Sequence, residues 1–131
     1  MNEQDIQGQN LLNQIKTAKS WQNKYRFLML LGRLNKDQFS PEWLDPVNIV
    51  AGCESQVWLV KQNNQYYATS EARIVSGLLY IILNRLNKLS TLEQKNFDLN
   101  ACLSEYSLQN HISESRTNGL QALLNQVQSL S

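Results

Sequence analysis

The chain has 131 residues, 42% of them hydrophobic, enough to enclose one core and too few for two. Its 12 lysines and arginines nearly balance its 11 aspartates and glutamates, which excludes bulk attraction to nucleic acid or to an anionic membrane surface. The opening MNEQDIQGQN has neither the basic start nor the apolar stretch of a secretory signal, and no later run is apolar for long enough to span a bilayer. The expectation is therefore a cytoplasmic protein, one domain over residues 1–131, with no nucleic acid or membrane as partner.

Between Asp5 and Leu34, Ile6, Leu11, Leu12, Ile15, Ala18, Trp21, Tyr25, Leu28, Leu31 and Leu34 recur at helical spacing. They predict two helices meeting near Ser20, which can cap the second. Ser40-Pro41-Glu42-Trp43 offers a capping serine and a proline at the first helical position, but Asp45-Pro46 stops any helix almost at once. β-Branched and aromatic residues then concentrate in Ile49-Val50, Val57-Trp58-Leu59-Val60 and Tyr66-Tyr67, predicting three short strands. Asn63-Asn64 suits a hairpin turn between the second and third, because asparagine tolerates positive φ. Cys53 falls on the loop between the first two, beside Gly52, which permits a tight turn.

Ser70 is the expected N-cap of the most apolar helix, which carries Ala72, Ile74, Val75, Leu78, Leu79, Ile81, Ile82, Leu83 and Leu86. With apolar residues on more than one face, this helix should lie under the sheet at the centre of the core. Ser90-Thr91-Leu92-Glu93 has the form of a capping box, a further helix is predicted from about Asp98 to Tyr106, and Ser113 can cap a last one through Leu120, Leu123, Leu124, Val127 and Leu130. Gly77 and Gly119 fall inside predicted helices, where glycine costs about 1 kcal/mol relative to alanine; close packing against a neighbouring element would account for both. The layout is α+β, a small three-stranded antiparallel sheet packed against several helices.

Phosphate-binding glycine loops, paired catalytic carboxylates and nucleotide fingerprints are absent. The two cysteines, Cys53 and Cys102, have no companions at metal-binding spacing, and a zinc site would need both of them, the single histidine His111 and a carboxylate. No metal, no cofactor and no disulfide are expected. Position alone leaves Cys53 open to two readings, a reactive thiol or a small buried hydrophobe.

The run Val50-Ala51-Gly52-Cys53-Glu54-Ser55-Gln56-Val57-Trp58-Leu59 resembles the signature of the SufE family, which includes the CsdE proteins and in which this cysteine accepts a persulfide sulfur. Three more stretches are similar to family motifs, in the family's order: Trp21-Gln22-Asn23-Lys24-Tyr25-Arg26-Phe27-Leu28 with Leu31-Gly32-Arg33, Ser70-Glu71-Ala72-Arg73-Ile74-Val75-Ser76-Gly77-Leu78-Leu79, and residues 108–120 from Leu108 to Leu120. The resemblance implies a SufE/NifU-like fold and a carrier rather than an independent enzyme. In that reading Cys53 takes sulfur from a pyridoxal-phosphate cysteine desulfurase, SufS- or CsdA-like, and stimulates it. The sulfur then passes to an acceptor such as an iron–sulfur scaffold or a tRNA-modification protein; a monomer or weak dimer is expected. Ala51-Gly52-Cys53-Glu54 is closer to the CsdE form and Ser55-Gln56 to the SufE form, so the delivery route stays open. Glu71 stands where the family commonly has aspartate, and Cys102 matches no family cysteine and reads as core.

Attack on a persulfide requires a thiolate, and an unperturbed cysteine with a pKa of about 8.5 is only a few per cent ionised at neutral pH. Backbone amides of the Gly52-Cys53-Glu54 turn, or a cation, could raise that fraction; Arg116 is the first candidate and His111 the second, while Glu54 acts the other way. The family implies a loop that tucks the cysteine into an apolar hollow, with Val50, Val57 and Trp58 as candidate lining or simply strand core. Lys24, Arg26, Arg33 and Lys36, with Arg73 and Arg116, are candidates for a basic docking face. Two alternatives stand beside the carrier: a small thiol hydrolase with Cys53 as nucleophile and His111 as base, and a non-catalytic docking module.

Overall fold

The break expected near Ser20 is where the first two helices meet in a computed structural model that describes residues 2–130. Helix α1 (Glu3–Thr17) ends at Ala18, and α2 (Trp21–Gln38) begins with the Ser20 hydroxyl accepting the amide of Asn23 at 3.2 Å. Two 3₁₀ turns follow, Pro41–Trp43 and Pro46–Asn48. Strands β1 (Val57–Gln62) and β2 (Gln65–Ser70) form an antiparallel hairpin in the register Val57↔Ser70 to Gln62↔Gln65. Its turn places Asn63 and Asn64 at φ 53° and 64°, the left-handed pair a two-residue hairpin needs. The chain then continues through α3 (Arg73–Leu86), α4 (Thr91–Lys95), α5 (Leu99–Glu105) and α6 (Glu114–Leu130).

The sheet has two strands rather than three. Ile49-Val50, the expected first strand, makes one isolated bridge from Ile49 to Trp58, and the Val50 amide donates to the Val57 carbonyl at 2.9 Å. The 3₁₀ turn ends at Asn48 and Gly52 takes φ +89°, so the extended stretch between them is too short for a ladder. Ser70 likewise closes β2 instead of capping α3. Its hydroxyl donates to the Gln56 carbonyl at 2.7 Å and accepts the Ala72 amide at 3.2 Å, and the N-cap is Ala72, without a side-chain cap.

Helix α3 is buried on more than one face, with ten buried residues from Ile74 to Leu86, and packs against both α2 and β2. Its crossing with α2 is close enough to exclude side chains. A Cβ on Gly77 would lie 2.3 Å from the Leu28 carbonyl oxygen, and one on Gly32 would lie 2.0 Å from that of Arg73. This accounts for a glycine in mid-helix despite its propensity cost. The outer edge of β2 is closed by amide side chains: Asn87 Oδ1 accepts the Tyr66 amide at 2.8 Å, its Nδ2 donates to the Tyr66 carbonyl at 2.9 Å, and Asn35 Nδ2 donates to the Ala68 carbonyl at 2.8 Å. Such pairing removes an exposed template for strand addition.

Lys24 is buried and does not belong to a basic face. One turn into α2, its ammonium donates to the carbonyls of Ile15 at 2.6 Å and Tyr106 at 3.0 Å, satisfying the ends of α1 and α5. Burial pushes its pKa down. Ser90 and Glu93 form the expected capping box on α4, and the side chains of Asp98 and Ser113 accept amides in the first turns of α5 and α6. No helix among the described residues is long and apolar enough to cross a membrane.

Candidate functional site

Residues 51–56 link the Ile49 bridge to β1. Gly52 carries the left-handed turn that starts this loop, and a Cβ there would touch Ala122 of α6 at 3.4 Å, so the chain both reverses and comes close to that helix. The next side chain, Cys53, is brought against α6 half-buried, its Sγ–H donating to the Gly119 carbonyl at 3.4 Å. Gly119 leaves open space at this approach: a Cβ on it would lie 3.7 Å from the Cα, Cβ and Sγ of Cys53, ordinary van der Waals contact.

Two further ties hold the loop. The Glu54 carboxylate accepts a hydrogen bond from the Ser115 hydroxyl in the first turn of α6. At the far end, the Gln56 amide points to Glu71 Oε1 at 3.5 Å, while its carbonyl accepts the Ser70 hydroxyl. Glu54 and Glu71 thus anchor the two sides of Cys53.

The electrostatics keep the thiol protonated. Burial pushes the Cys53 pKa up. The hydrogen bond to Gly119 acts in the same direction, because a thiol can donate to a carbonyl and a thiolate cannot. Arg116 is exposed and lines a cleft of about 330 Å³ between the loop and α6, whose other walls include Glu54, Ser55, Val75, Gly119 and Leu120. It stands beside the cysteine loop.

His111 lies elsewhere. Its ring stacks on Trp21, with centroids 4.5 Å apart and planes 11° from parallel, and among the described residues no hydrogen bond joins it to Cys53. Val50 and Val57 are fully packed core residues and Trp58 is half-buried; the apolar walls of the cleft are Val75 and Leu120 instead. These two, with Gly119 and Ser115, are site residues that the sequence alone did not single out as such. Gly119 carried the one usable signal, a glycine inside a helical pattern. Cys102 is buried in the core, and burial raises its pKa too.

Of the candidate basic face, Arg26 lies over the ring of Phe27 at 5.1 Å, and Arg33 borders a groove between α1 and α2 together with Asp37. Among the described residues no three His, Cys, Asp or Glu side chains gather as metal ligands would.

Residues 9–131 match the family model SufE, described as an Fe-S metabolism associated domain. An uncharacterized SufE-like protein of Haemophilus influenzae is 34% identical over 125 residues, an alignment that covers 92% of this chain and 98% of that protein.

Proposed function

This chain belongs to the SufE family, and on that premise we propose that it is a cytoplasmic sulfur carrier whose Cys53 accepts persulfide sulfur from a pyridoxal-phosphate cysteine desulfurase. The observation that carries this reading is the setting of Cys53: a half-buried thiol on a short tied loop, with its sulfur against the backbone of Gly119. The second cysteine, Cys102, is sealed in the core and offers no competing acceptor.

The transfer is a thiol–disulfide type exchange. The Cys53 thiolate attacks the outer sulfur of the desulfurase persulfide. A bond forms between that sulfur and Sγ, the bond to the desulfurase cysteine breaks, and the electron pair leaves with the desulfurase thiolate, which takes up the proton that Cys53 lost. Nothing is oxidised or reduced overall. By clearing sulfur from the desulfurase the carrier stimulates it, and Cys53 is regenerated when the sulfur moves to an iron–sulfur scaffold or another sulfur-using acceptor.

In the free protein the raised thiol pKa and the ties through Glu54 and Glu71 favour a quiet cysteine. Docking on the desulfurase then has to release the loop and free the thiolate. The same geometry speaks against a hydrolase: His111 is stacked on Trp21 and Glu54 is engaged by Ser115, so among the described residues no base is paired with the sulfur.

The test is the rate of alanine release by a cysteine desulfurase with and without this protein. Wild type should stimulate it, and Cys53→Ser should not stimulate it while still competing with wild type for the desulfurase. Equal stimulation by both would remove Cys53 from the reaction.

A further inference from the structure

Gly119 has a place in the site that a purely structural glycine would not need. It accepts the hydrogen bond of the Cys53 thiol, lies against the whole side chain of that residue, and also forms part of the wall of the adjoining cleft. Glycine at this position costs α6 about 1 kcal/mol of helix propensity relative to alanine. No overlap enforces that cost, since a methyl group would meet Cys53 at 3.7 Å, ordinary van der Waals contact. The resting thiol state has room for alanine. Gly77, where a Cβ would strike the Leu28 backbone at 2.3 Å, has no such room, so the two mid-helix glycines have different causes.

The loaded state makes a further demand on the space beside Gly119. An added sulfur stands about 2.05 Å beyond Sγ and needs its own space when the loop closes again. The cleft beside Gly119 measures about 330 Å³, against roughly 30 Å³ for a water-sized occupant. Its apolar walls, Val75 and Leu120, suit a polarisable sulfur, and Arg116 lines the same cleft as a cation for a persulfide anion.

We infer that Gly119 is a positioning residue for the loaded carrier: its missing side chain lets the closed loop admit the outer sulfur of a Cys53 persulfide into the cleft against α6. This rests on Cys53 being the sulfur acceptor. What depends on Gly119 is the protection of the sulfur after loading.

The experiment compares wild type, Gly119→Ala and Gly119→Ser, each loaded by a cysteine desulfurase with free cysteine and then separated from it. Alkylation of the thiol and of the persulfide by iodoacetamide is followed by intact mass, and each rate is divided by that of the same species in denaturant. Gly119→Ala should keep its thiol protection within about two-fold and, in the fraction that loads, lose persulfide protection by about ten-fold or more, the scale of a closed local state weakened by little more than a kilocalorie. Gly119→Ser should lose at least as much. Unchanged persulfide protection in both variants would overturn the inference while leaving the carrier reading intact. Equal loss of protection for thiol and persulfide would also overturn it, because Gly119 would then merely pack the loop. If wild type itself takes up no sulfur, the carrier reading fails and this inference fails with it.

Discussion

The Sγ of Cys53 lies 3.4 Å from the carbonyl oxygen of Gly119, donating to the backbone of α6 rather than facing a cation. This hydrogen bond and the partial burial both favour the neutral thiol, and they act on the same group. An acid whose protonated form is favoured titrates at higher pH, so at neutral pH the thiolate fraction falls below that of an ordinary cysteine. The pH profile of iodoacetamide alkylation in the free protein should therefore have its midpoint above the ordinary cysteine value, and alkylation should quicken when the desulfurase is bound. A midpoint below the ordinary value, or equal rates free and bound, would contradict a loop that conceals its cysteine.

Ser115→Ala removes the donor that holds Glu54. An exposed hydrogen bond of this kind contributes about 0.5–1.5 kcal/mol, and its loss should leave global stability nearly unchanged while raising Cys53 alkylation by roughly two- to ten-fold through more frequent loop opening. An unchanged rate would mean that the Glu54 tie does not restrain the loop.

Lys24→Met keeps the aliphatic stem but leaves the Ile15 and Tyr106 carbonyls without their donor. Unsatisfied buried acceptors cost about 1–3 kcal/mol each, so urea unfolding should show a loss of about 2–4 kcal/mol. A loss below about 0.5 kcal/mol, the size of an ordinary surface substitution, would indicate that water replaces the ammonium.

Gly77→Ala and Gly119→Ala should separate in thermal and urea unfolding. Alanine at 77 forces its Cβ onto the Leu28 backbone, which cannot rotate away, and should cost about 1–3 kcal/mol as an overpacked crossing. At 119 the same change meets nothing closer than 3.7 Å and should be neutral, or stabilising by up to about 1 kcal/mol through helix propensity. Similar losses at both positions would contradict the packing described.

Apart from Ser70, which closes β2 instead of capping α3, local chemistry was legible where one residue type decides the backbone. Ser20, Ser90, Asp98 and Ser113 marked helix starts, and Asn63-Asn64 marked the hairpin, because caps and left-handed turns depend on nearest neighbours. The expected first strand does not form: Ile49-Val50 has strand composition, whereas ladder length is set by the turn before it and Gly52 after it. Lys24 looked like surface charge because nothing local reveals that two helix ends converge on it. Cys53 was visible through its motif. Its partner Gly119, the Glu54 partner Ser115, and the cleft walls Val75 and Leu120 lie on α3 and α6, which only the tertiary fold brings to the loop.

The carrier account is tested most directly by intact-protein mass spectrometry after incubation with a pyridoxal-phosphate cysteine desulfurase and free cysteine. Wild type should gain the mass of one sulfur, lose it on addition of a thiol reductant, and show no gain in Cys53→Ser. A gain that persists in Cys53→Ser, or no gain in wild type with a desulfurase that binds it, would contradict Cys53 as the persulfide acceptor.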